Sequence, residues 1–319
     1  MRTVVFLILL FAQFMPLAAQ DTLVVAPDGS GDFITVTEAV ESCRAFMETE
    51  KVILIREGIY REKVDIPSWL THITLIGEGQ DKTIISWDDY ASLNNMGTFR
   101  TWTMKVSGDY ITLKDLCVEN SAGPVGQAVA LHVEGDRFCA MNCSIRGNQD
   151  TLFASGLHSR QHYTGCTIEG TTDFIFGPAT ALFDDCTIIC KKDSYITAAS
   201  TPADSPYGFV FRKCRIMATT GVTKVYLGRP WRDYARVLFL YCELAEQIRP
   251  EGWHNWSQPE RENTAFFAEY GNSGPGAGRE NRVNWSHELS DTEAAACTTE
   301  NILGMNYCKQ AKAAHPAEK

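Results

Sequence analysis

The chain has 319 residues, 45% of them hydrophobic, so it can bury a large core as one elongated domain or as two compact ones. Its formal net charge of −10 disfavours nucleic acid as a partner, because nucleic-acid-binding proteins present basic surfaces. An acidic chain could still bind an anionic polysaccharide through a local basic or polar groove.

The N-terminal segment, residues 1–20, has the three parts of a secretory signal peptide. Arg2 supplies a positive start, residues 4–11 are almost wholly apolar, and small residues precede a cleavage site near Ala19 or Gln20. No later segment combines the length and the apolarity needed to span a bilayer. We therefore expect an exported protein, periplasmic or secreted, without a membrane anchor.

Residues 21–310 contain no low-complexity linker and are predicted to form one domain, followed by a flexible tail at 311–319. Residues 33–46 have the apolar spacing of a helix, which would cap one end of the fold. Short β-rich runs separated by Gly, Asp and Asn follow. They include residues 51–55, 73–76, 83–86, 103–106, 110–113 and 236–240. Residues 252–278, rich in Trp, Asn, Gly and Pro, are predicted to be a long loop.

A segment that repeats itself 23 residues later predicts the architecture. Residues 143–153 align without a gap with residues 166–176, and five of the eleven positions are identical. A fixed period in this range is typical of a solenoid, in which each repeat forms one coil. A sandwich or jelly roll would explain the short strands but not the self-similarity. We therefore predict an all-β parallel β-helix, in which residues one period apart lie about 4.8 Å from each other.

Eleven cysteines in an exported chain raise the question of disulfides. Six of them recur in similar strand-like contexts at intervals of 20 to 28 residues, namely Cys117, Cys143, Cys166, Cys186, Cys214 and Cys242. This spacing predicts an inward-facing ladder of free thiols, each acting as a small buried hydrophobic group. One or two bridges, for example within Cys139/Cys143 or Cys186/Cys190, are the alternative.

The repeat also places Asp150 and Asp173 side by side in adjacent coils. Two adjacent carboxylates are costly in a structural role and useful for acid–base or nucleophilic chemistry. Gln149 precedes Asp150, and Gln127 lies 23 residues before Asp150, so both amides are expected at the same patch. Arg229 should orient a carboxylate and lower its pKa. A single Asp would be interpreted as a turn former, but the joint set indicates a functional site.

The chain resembles the pectinesterase (pectin methylesterase) family, whose members demethylate esterified polygalacturonate. Seven stretches in the family's order carry the resemblance: VVAPDGSGDF (24–33), GIYRE (58–62), QAVAL (127–131), GNQDTLF (147–153), GTTDFIFG (170–177), LGRPW (227–231) and FAEYGNSGPGA (267–277). Together they span nearly the whole mature chain. The resemblance implies a single-stranded right-handed parallel β-helix of the pectin lyase type.

By this resemblance, Asp173 corresponds to the nucleophile and Asp150 to the general acid and later base. Gln127 and Gln149 correspond to the pair that stabilises the oxyanion, and Arg229 orients Asp173. The residues expected to bind the sugar chain are Thr98, Gln127, Phe176, Tyr195, Arg229 and Trp231. Asp150, beside a second carboxylate, should have a raised pKa and hold a proton, whereas Asp173 should stay ionised. We expect a monomer that binds methyl-esterified homogalacturonan and needs no metal or cofactor.

Two positions depart from the family pattern and bear on groove preference: Thr172 replaces a frequent Val, and His132 a common Arg. A metal site is not expected, since His158 and His162 lie in a loop-like context. The rival functions are a pectate lyase using Ca²⁺, a polygalacturonase hydrolysing the glycosidic bond, and a non-catalytic pectin-binding protein. The glutamine pair indicates a site for an oxyanion, which favours ester hydrolysis over the lyase and polygalacturonase reactions. The presence of Asp150 argues against a non-catalytic binding protein.

Overall fold

The computed structural model describes residues 22–304 and 307, and their strands form three sheets of 11, 8 and 7 parallel strands. We call them sheets A, B and C and number the strands in chain order. A central coil adds one strand to each sheet, so that neighbours within a sheet come from successive coils. This arrangement confirms the predicted parallel β-helix.

The strands of the three sheets have the following bounds. Sheet A contains β1 (Thr22–Val25), β2 (Lys51–Ile55), β5 (Ile73–Ile76), β8 (Thr112–Lys114), β11 (Phe138–Met141), β14 (Arg160–Thr164), β17 (Thr180–Asp184), β20 (Phe209–Arg212), β23 (Arg236–Leu240), β25 (Phe266–Tyr270) and β26 (His287–Glu288). Sheet B contains β3 (Gly58–Arg61), β6 (Thr83–Trp87), β9 (Cys117–Asn120), β12 (Ser144–Arg146), β15 (Thr167–Gly170), β18 (Thr187–Cys190), β21 (Arg215–Ala218) and β24 (Glu243–Leu244). Sheet C contains β4 (Val64–Ile66), β7 (Met104–Val106), β10 (Leu131–Val133), β13 (Leu152–Ala154), β16 (Ile175–Gly177), β19 (Tyr195–Ala199) and β22 (Tyr226–Pro230).

The helices are short. The α-helices are α1 (Val36–Glu41), α2 (Asp291–Ala296) and α3 (Thr299–Leu303), and the 3-10 helices are Leu93–Asn95, Thr98–Arg100, Pro259–Asn263 and Pro275–Ala277. Helix α1 packs on β1, β2 and β4 at the N-terminal end of the solenoid, where a cap was predicted. It is shorter than predicted, because the Phe46 N–H donates to the Trp69 carbonyl oxygen at 2.7 Å and draws the chain out of the helical path.

The core contains a stack of aromatic rings that runs along the solenoid axis. Tyr163, Phe183, Phe211 and Phe239 lie in register on four successive strands of sheet A, and all four are fully buried. Their ring centroids are 4.8, 4.5 and 4.4 Å apart, and adjacent rings are nearly parallel. This continuous stack packs four successive coils against one another.

The cysteine ladder is confirmed, with one correction. Its members in successive coils are Cys143, Cys166, Cys186, Cys214 and Cys242, each at most 1% exposed. Cys117 was placed in it wrongly, because Cys117 pairs with Ser144 and Leu116 therefore occupies the ladder position. Among the ten cysteines that the structure describes, the alternative bridges Cys139/Cys143 and Cys186/Cys190 are not formed.

The predicted long loop at 252–278 is wrong in part, since it contains β25 and two 3-10 helices. Strand β25 pairs with β23, and its Phe267 is fully buried, so packing against the preceding coil outweighs the loop-like composition. The predicted signal peptide (1–20) and tail (311–319) lie outside the described residues. Within the described part of the chain, no helix is long and apolar enough to cross a membrane.

Candidate active site

The turns that lead from sheet B into sheet C bring four of the predicted site residues together. Leu152 pairs with Ile175, so Asp150 and Asp173, two residues before each, occupy equivalent places in successive coils, as the repeat predicted. Gln127 pairs with Gln149 across a parallel bridge. The step between the two glutamines is thus 22 residues, and the predicted match of Gln127 with Asp150 is wrong by one residue. The correction places the two amides directly next to each other.

Both aspartates have the same unusual backbone conformation. The φ angle is +65° at Asp150 and +49° at Asp173, in the left-handed region that non-glycine residues seldom adopt. Such residues concentrate at functional sites, where the surrounding structure holds the strain. The neighbouring coils supply that support: the Asp150 N–H donates to the Thr172 carbonyl oxygen at 3.2 Å, and the Asp173 N–H to that of Tyr195 at 2.8 Å.

Arg229, on strand β22, binds Asp173 through two parallel hydrogen bonds. Its Nε donates to Oδ1 at 2.9 Å and its Nη2 to Oδ2 at 2.6 Å. This forked geometry fixes the plane of the carboxylate as well as its charge, which a single contact would not do. The predicted pairing of Arg229 with Asp173 is therefore present.

Two aromatic rings enclose the Arg229 guanidinium. Its central carbon lies 3.9 Å from the ring centre of Tyr195 and 3.6 Å from that of Trp256. Stacking of this kind restricts the guanidinium plane and adds a cation–π attraction. Tyr195, predicted to contact the sugar chain, lies against Arg229 and outside the cavity lining described below.

The two carboxyl groups differ in their affinity for a proton. Burial, reinforced by the nearby Asp173 charge and opposed by Arg229, raises the pKa of Asp150 to about 8. Burial also raises the pKa of Asp173, although Arg229 opposes this through its hydrogen bonds and its charge. The expected fall in the pKa of Asp173 is thus wrong in direction, because burial outweighs Arg229. The order of the two groups still favours a proton on Asp150.

A cavity of about 380 Å³ opens over these side chains. Its lining consists of Thr98, Phe99, Gln127, Gln149, Asp150, Asp173, Phe176, Ala198, Arg229, Trp231 and Trp256. The Phe153 and Phe176 rings stack at 4.5 Å under this cavity, and Trp231 meets Phe176 edge-on at 5.9 Å. Polar groups at one side and aromatic surface at the other suit a sugar ring, which has both hydroxyl groups and apolar faces.

His132 does not add positive charge to this groove. It is 4% exposed, its ring lies 4.6 Å from that of Phe153, and burial lowers its pKa to about 4. The His132 side chain that replaces a basic residue at this position is therefore neutral near pH 7. In the part of the chain that the structure describes, no cluster of three or more His, Cys, Asp or Glu side chains could hold a metal ion.

The sequence model of the pectinesterase family matches residues 22–306. The chain belongs to the pectinesterase family. It is 39% identical over 281 residues to Pectinesterase 31 of Arabidopsis thaliana, covering 85% of this chain and 88% of that protein. It is 36% identical over 312 residues to Probable pectinesterase/pectinesterase inhibitor 23 of the same plant, covering 92% of this chain and 54% of that protein. The chain thus spans about half the length of some curated relatives that it matches.

Solved structures of pectin methylesterases have the same fold. The carrot enzyme superimposes with a TM-score of 0.87 at 34% identity, covering 93% of this chain and 97% of that one. The Aspergillus niger enzyme, in deglycosylated form, gives 0.80 at 30% identity, covering 91% and 96%. PemA from Erwinia chrysanthemi gives 0.77 at 27% identity, covering 89% and 97%. This pectinesterase-family chain therefore shares the parallel β-helix along nearly its whole described length.

Sequence reasoning missed three residues of this pectinesterase-family cavity: Phe99, Ala198 and Trp256. Phe99 follows Thr98 on a short 3-10 helix, and Ala198 pairs with Arg229 across sheet C. Trp256 comes from the segment predicted to be a loop, and its signal in the sequence is that this loop follows the LGRPW stretch and is rich in Trp. Only the folded chain shows that this ring returns to cover Arg229.

Proposed function

We propose that this chain hydrolyses the methyl esters of polygalacturonate (pectin), giving pectate and methanol. The observation that carries the proposal is the pair of buried aspartates in equivalent turns, of which Asp173 is bound by Arg229 and Asp150 has its pKa raised to about 8. Such a pair supplies one ionised nucleophile and one proton donor at neutral pH. The paired amides of Gln127 and Gln149 add hydrogen-bond donors beside them.

In the first half of the reaction, an Asp173 carboxylate oxygen attacks the ester carbonyl carbon and the carbonyl electron pair moves onto its oxygen. The amides of Gln127 and Gln149 donate hydrogen bonds to this oxyanion, and each such donor contributes about 3 kcal/mol in comparable enzymes. The intermediate then collapses, the bond to the methoxy oxygen breaks, and Asp150 protonates the leaving group. Methanol departs and leaves an acyl-enzyme on Asp173.

In the second half, Asp150 has given up its proton and acts as a base. It takes a proton from water, and the resulting hydroxide oxygen attacks the acyl carbon. The bond to Asp173 breaks, Asp150 holds a proton again, and the galacturonic acid product loses its own proton to water to become the carboxylate. Arg229 keeps Asp173 oriented through both halves.

The aromatic side of the cavity is proposed to bind the sugar chain. Trp231 and Phe176 offer ring faces and edges, and Thr98 in the same lining offers a hydroxyl group. Pectin methylesterase has been solved in complex with hexasaccharides, and its identity to this chain is 27% to 28%. We further propose that the protein acts as a monomer. We also propose that residues 1–20 direct its export, which N-terminal sequencing of the mature protein would test.

The decisive experiment measures methanol release from highly methylated pectin in the presence of a chelator. The wild-type protein should release methanol, and Asp173→Ala should abolish turnover with the thermal unfolding midpoint retained. Asp204→Ala is the matched control, because Asp204 has a side chain 74% exposed and lies outside the cavity. Wild-type activity in Asp173→Ala would show that Asp173 is not the nucleophile.

Analysis of the other products, in parallel reactions with the chelator and with added Ca²⁺, separates the rival functions. Unsaturated product that requires Ca²⁺ would identify a lyase, and new reducing ends without methanol would identify a polygalacturonase. Binding of pectin without any product would identify a binding protein. Each of these outcomes contradicts the esterase proposal.

A further inference from the structure

His254 lies beside the catalytic arginine, although no motif drew attention to it. Its N–H donates to the Gly228 carbonyl oxygen at 3.1 Å, and Trp253 forms a parallel bridge with Gly228. By this register, His254 is the neighbour of Arg229 in the next coil. The ring of His254 lies 5.5 Å from that of Tyr195 and 5.3 Å from that of Tyr226.

The His254 ring holds the turn that follows it. Its Nδ1 accepts a hydrogen bond from the Trp256 N–H at 3.0 Å. Because a backbone N–H can only donate, Nδ1 must be unprotonated in this arrangement, so the ring is neutral with its proton on Nε2.

The turn needs this support because its backbone is strained. Trp256 and Ser257 have φ angles of +60° and +56°, two consecutive non-glycine residues in the left-handed region. Each such residue is strained unless local contacts offset the strain. The strained turn directs the Trp256 ring back to 3.6 Å from the Arg229 guanidinium, where it also forms part of the cavity wall.

The charges around His254 oppose its protonation. Burial, and then the positive charges of Arg229 and Arg249, lower the pKa of His254. Arg249 stacks on Tyr226 at 4.8 Å and pairs with Glu251 at 3.2 Å, so the acidic group nearest in sequence is already engaged. The neutral ring is therefore the stable form at neutral pH, and acidification acts against the geometry described.

We propose that His254 is a positioning residue: its neutral ring holds Trp256 against Arg229, and its protonation releases Trp256 and lowers activity in acid. On protonation a proton binds Nδ1, and the Trp256 N–H then faces a second donor in place of an acceptor. The hydrogen bond breaks, Trp256 leaves the guanidinium, and Arg229 holds Asp173 less firmly. This inference rests on the proposed catalytic roles of Arg229 and Asp173.

Two substitutions of His254 distinguish its role as a hydrogen-bond acceptor from its ability to bind a proton. His254→Asn places a side-chain oxygen where Nδ1 stands, and asparagine accepts from the N–H two residues on without titrating. His254→Ala removes the acceptor at every pH. We expect kcat/KM of His254→Asn to stay within about twofold of the wild type at neutral pH. That of His254→Ala should fall roughly fivefold, as for the loss of one hydrogen bond.

The acid side of the pH profile is the discriminating measurement. The wild-type kcat/KM should fall in acid through two protonations, on Asp173 and His254, whereas His254→Asn should lose one of them and retain activity to lower pH. His158→Asn is the matched control, because the His158 side chain is 61% exposed and lies outside the cavity, and its profile should equal the wild type. An unchanged acid limb in His254→Asn would overturn the proposal.

A second readout is independent of activity. The Trp256 backbone amide, followed by NMR, should shift with the His254 titration in the wild type and should not titrate in His254→Asn. An amide that ignores pH in the wild type would contradict the proposal even if the kinetics agreed. If Asp173→Ala proves active, the catalytic roles fail, and the amide titration still decides whether His254 holds Trp256.

Discussion

Asp150 and Asp173 occupy equivalent positions in two successive coils and share a left-handed backbone conformation. They differ in that Arg229 donates two parallel hydrogen bonds to the carboxylate of Asp173. Burial raises the pKa of both carboxyl groups, and Arg229 opposes this at Asp173 by hydrogen bonds as well as by charge. Two chemically identical side chains thus acquire unlike proton affinities, because Arg229 acts on Asp150 through its charge and on Asp173 through hydrogen bonds as well.

Arg229→Lys should lower kcat by about one to two orders of magnitude with the fold intact. Lysine keeps the positive charge but cannot supply two parallel hydrogen bonds or stack as a plane between rings. With its hydrogen bonds weakened, Asp173 should also have a higher pKa, so the acid limb of activity should move to higher pH. Steady-state methanol release as a function of pH measures both effects. If Arg229→Lys had the same pH profile as the wild type, a positive charge at this position would be sufficient for the function of Arg229.

Activity should decline on the basic side as Asp150 loses its proton. The reaction needs Asp150 protonated in its first half, and its pKa is raised to about 8. Above that pH, kcat/KM should fall about tenfold per pH unit. The profile should be measured with short assays, and circular dichroism at the same pH values should confirm a folded protein. A plateau that extends to pH of about 10 would contradict the assignment of Asp150 as the acid.

Asp150→Asn should abolish turnover and stabilise the fold near neutral pH. In the unfolded chain Asp150 loses its proton near its ordinary pKa of 3.8, whereas in the folded chain it keeps the proton to about 8. Between these values the unfolded state binds fewer protons, so the wild-type free energy of unfolding falls as pH rises.

Asparagine does not titrate, so the variant should gain on the order of 1–3 kcal/mol over the wild type at neutral pH and less near pH 4. Urea unfolding of both proteins across this range measures the difference. Asp204→Asn, at an exposed loop position, should show no such pH-dependent gain. A constant difference between wild type and Asp150→Asn would argue against a buried, protonated Asp150.

Gln127→Leu should lower kcat by about 10²-fold or more with little change in KM. Leucine retains much of the side-chain volume but cannot donate a hydrogen bond to the oxyanion, which exists only in the transition state and the intermediate. Gln149→Leu should act similarly, because the two glutamines are bridge partners. A rise in KM with kcat retained would instead assign these amides to substrate binding.

The sequence by itself determined the solenoid, its 23-residue step at Asp150 and Asp173, and the set of five polar residues at the site. These follow from local repetition, since each coil of a β-helix contacts its neighbours and repeats their pattern. The same reasoning erred where coil lengths differ by one residue. Gln127 pairs with Gln149 and Cys117 with Ser144, which only inter-coil hydrogen bonding decides.

Tertiary structure alone decided what lies around Arg229 and how strongly each aspartate holds its proton. Trp256 is 27 residues from Arg229 in sequence and 3.6 Å from it in space, because the strained turn after His254 reverses the chain. The pKa of Asp173 rises despite Arg229 because the folded chain removes this carboxyl group from most of its contact with water. The sequence motif around Asp173 does not show this burial. Repetition in the sequence determined where the two aspartates lie, and burial in the folded chain determined how strongly each one holds a proton.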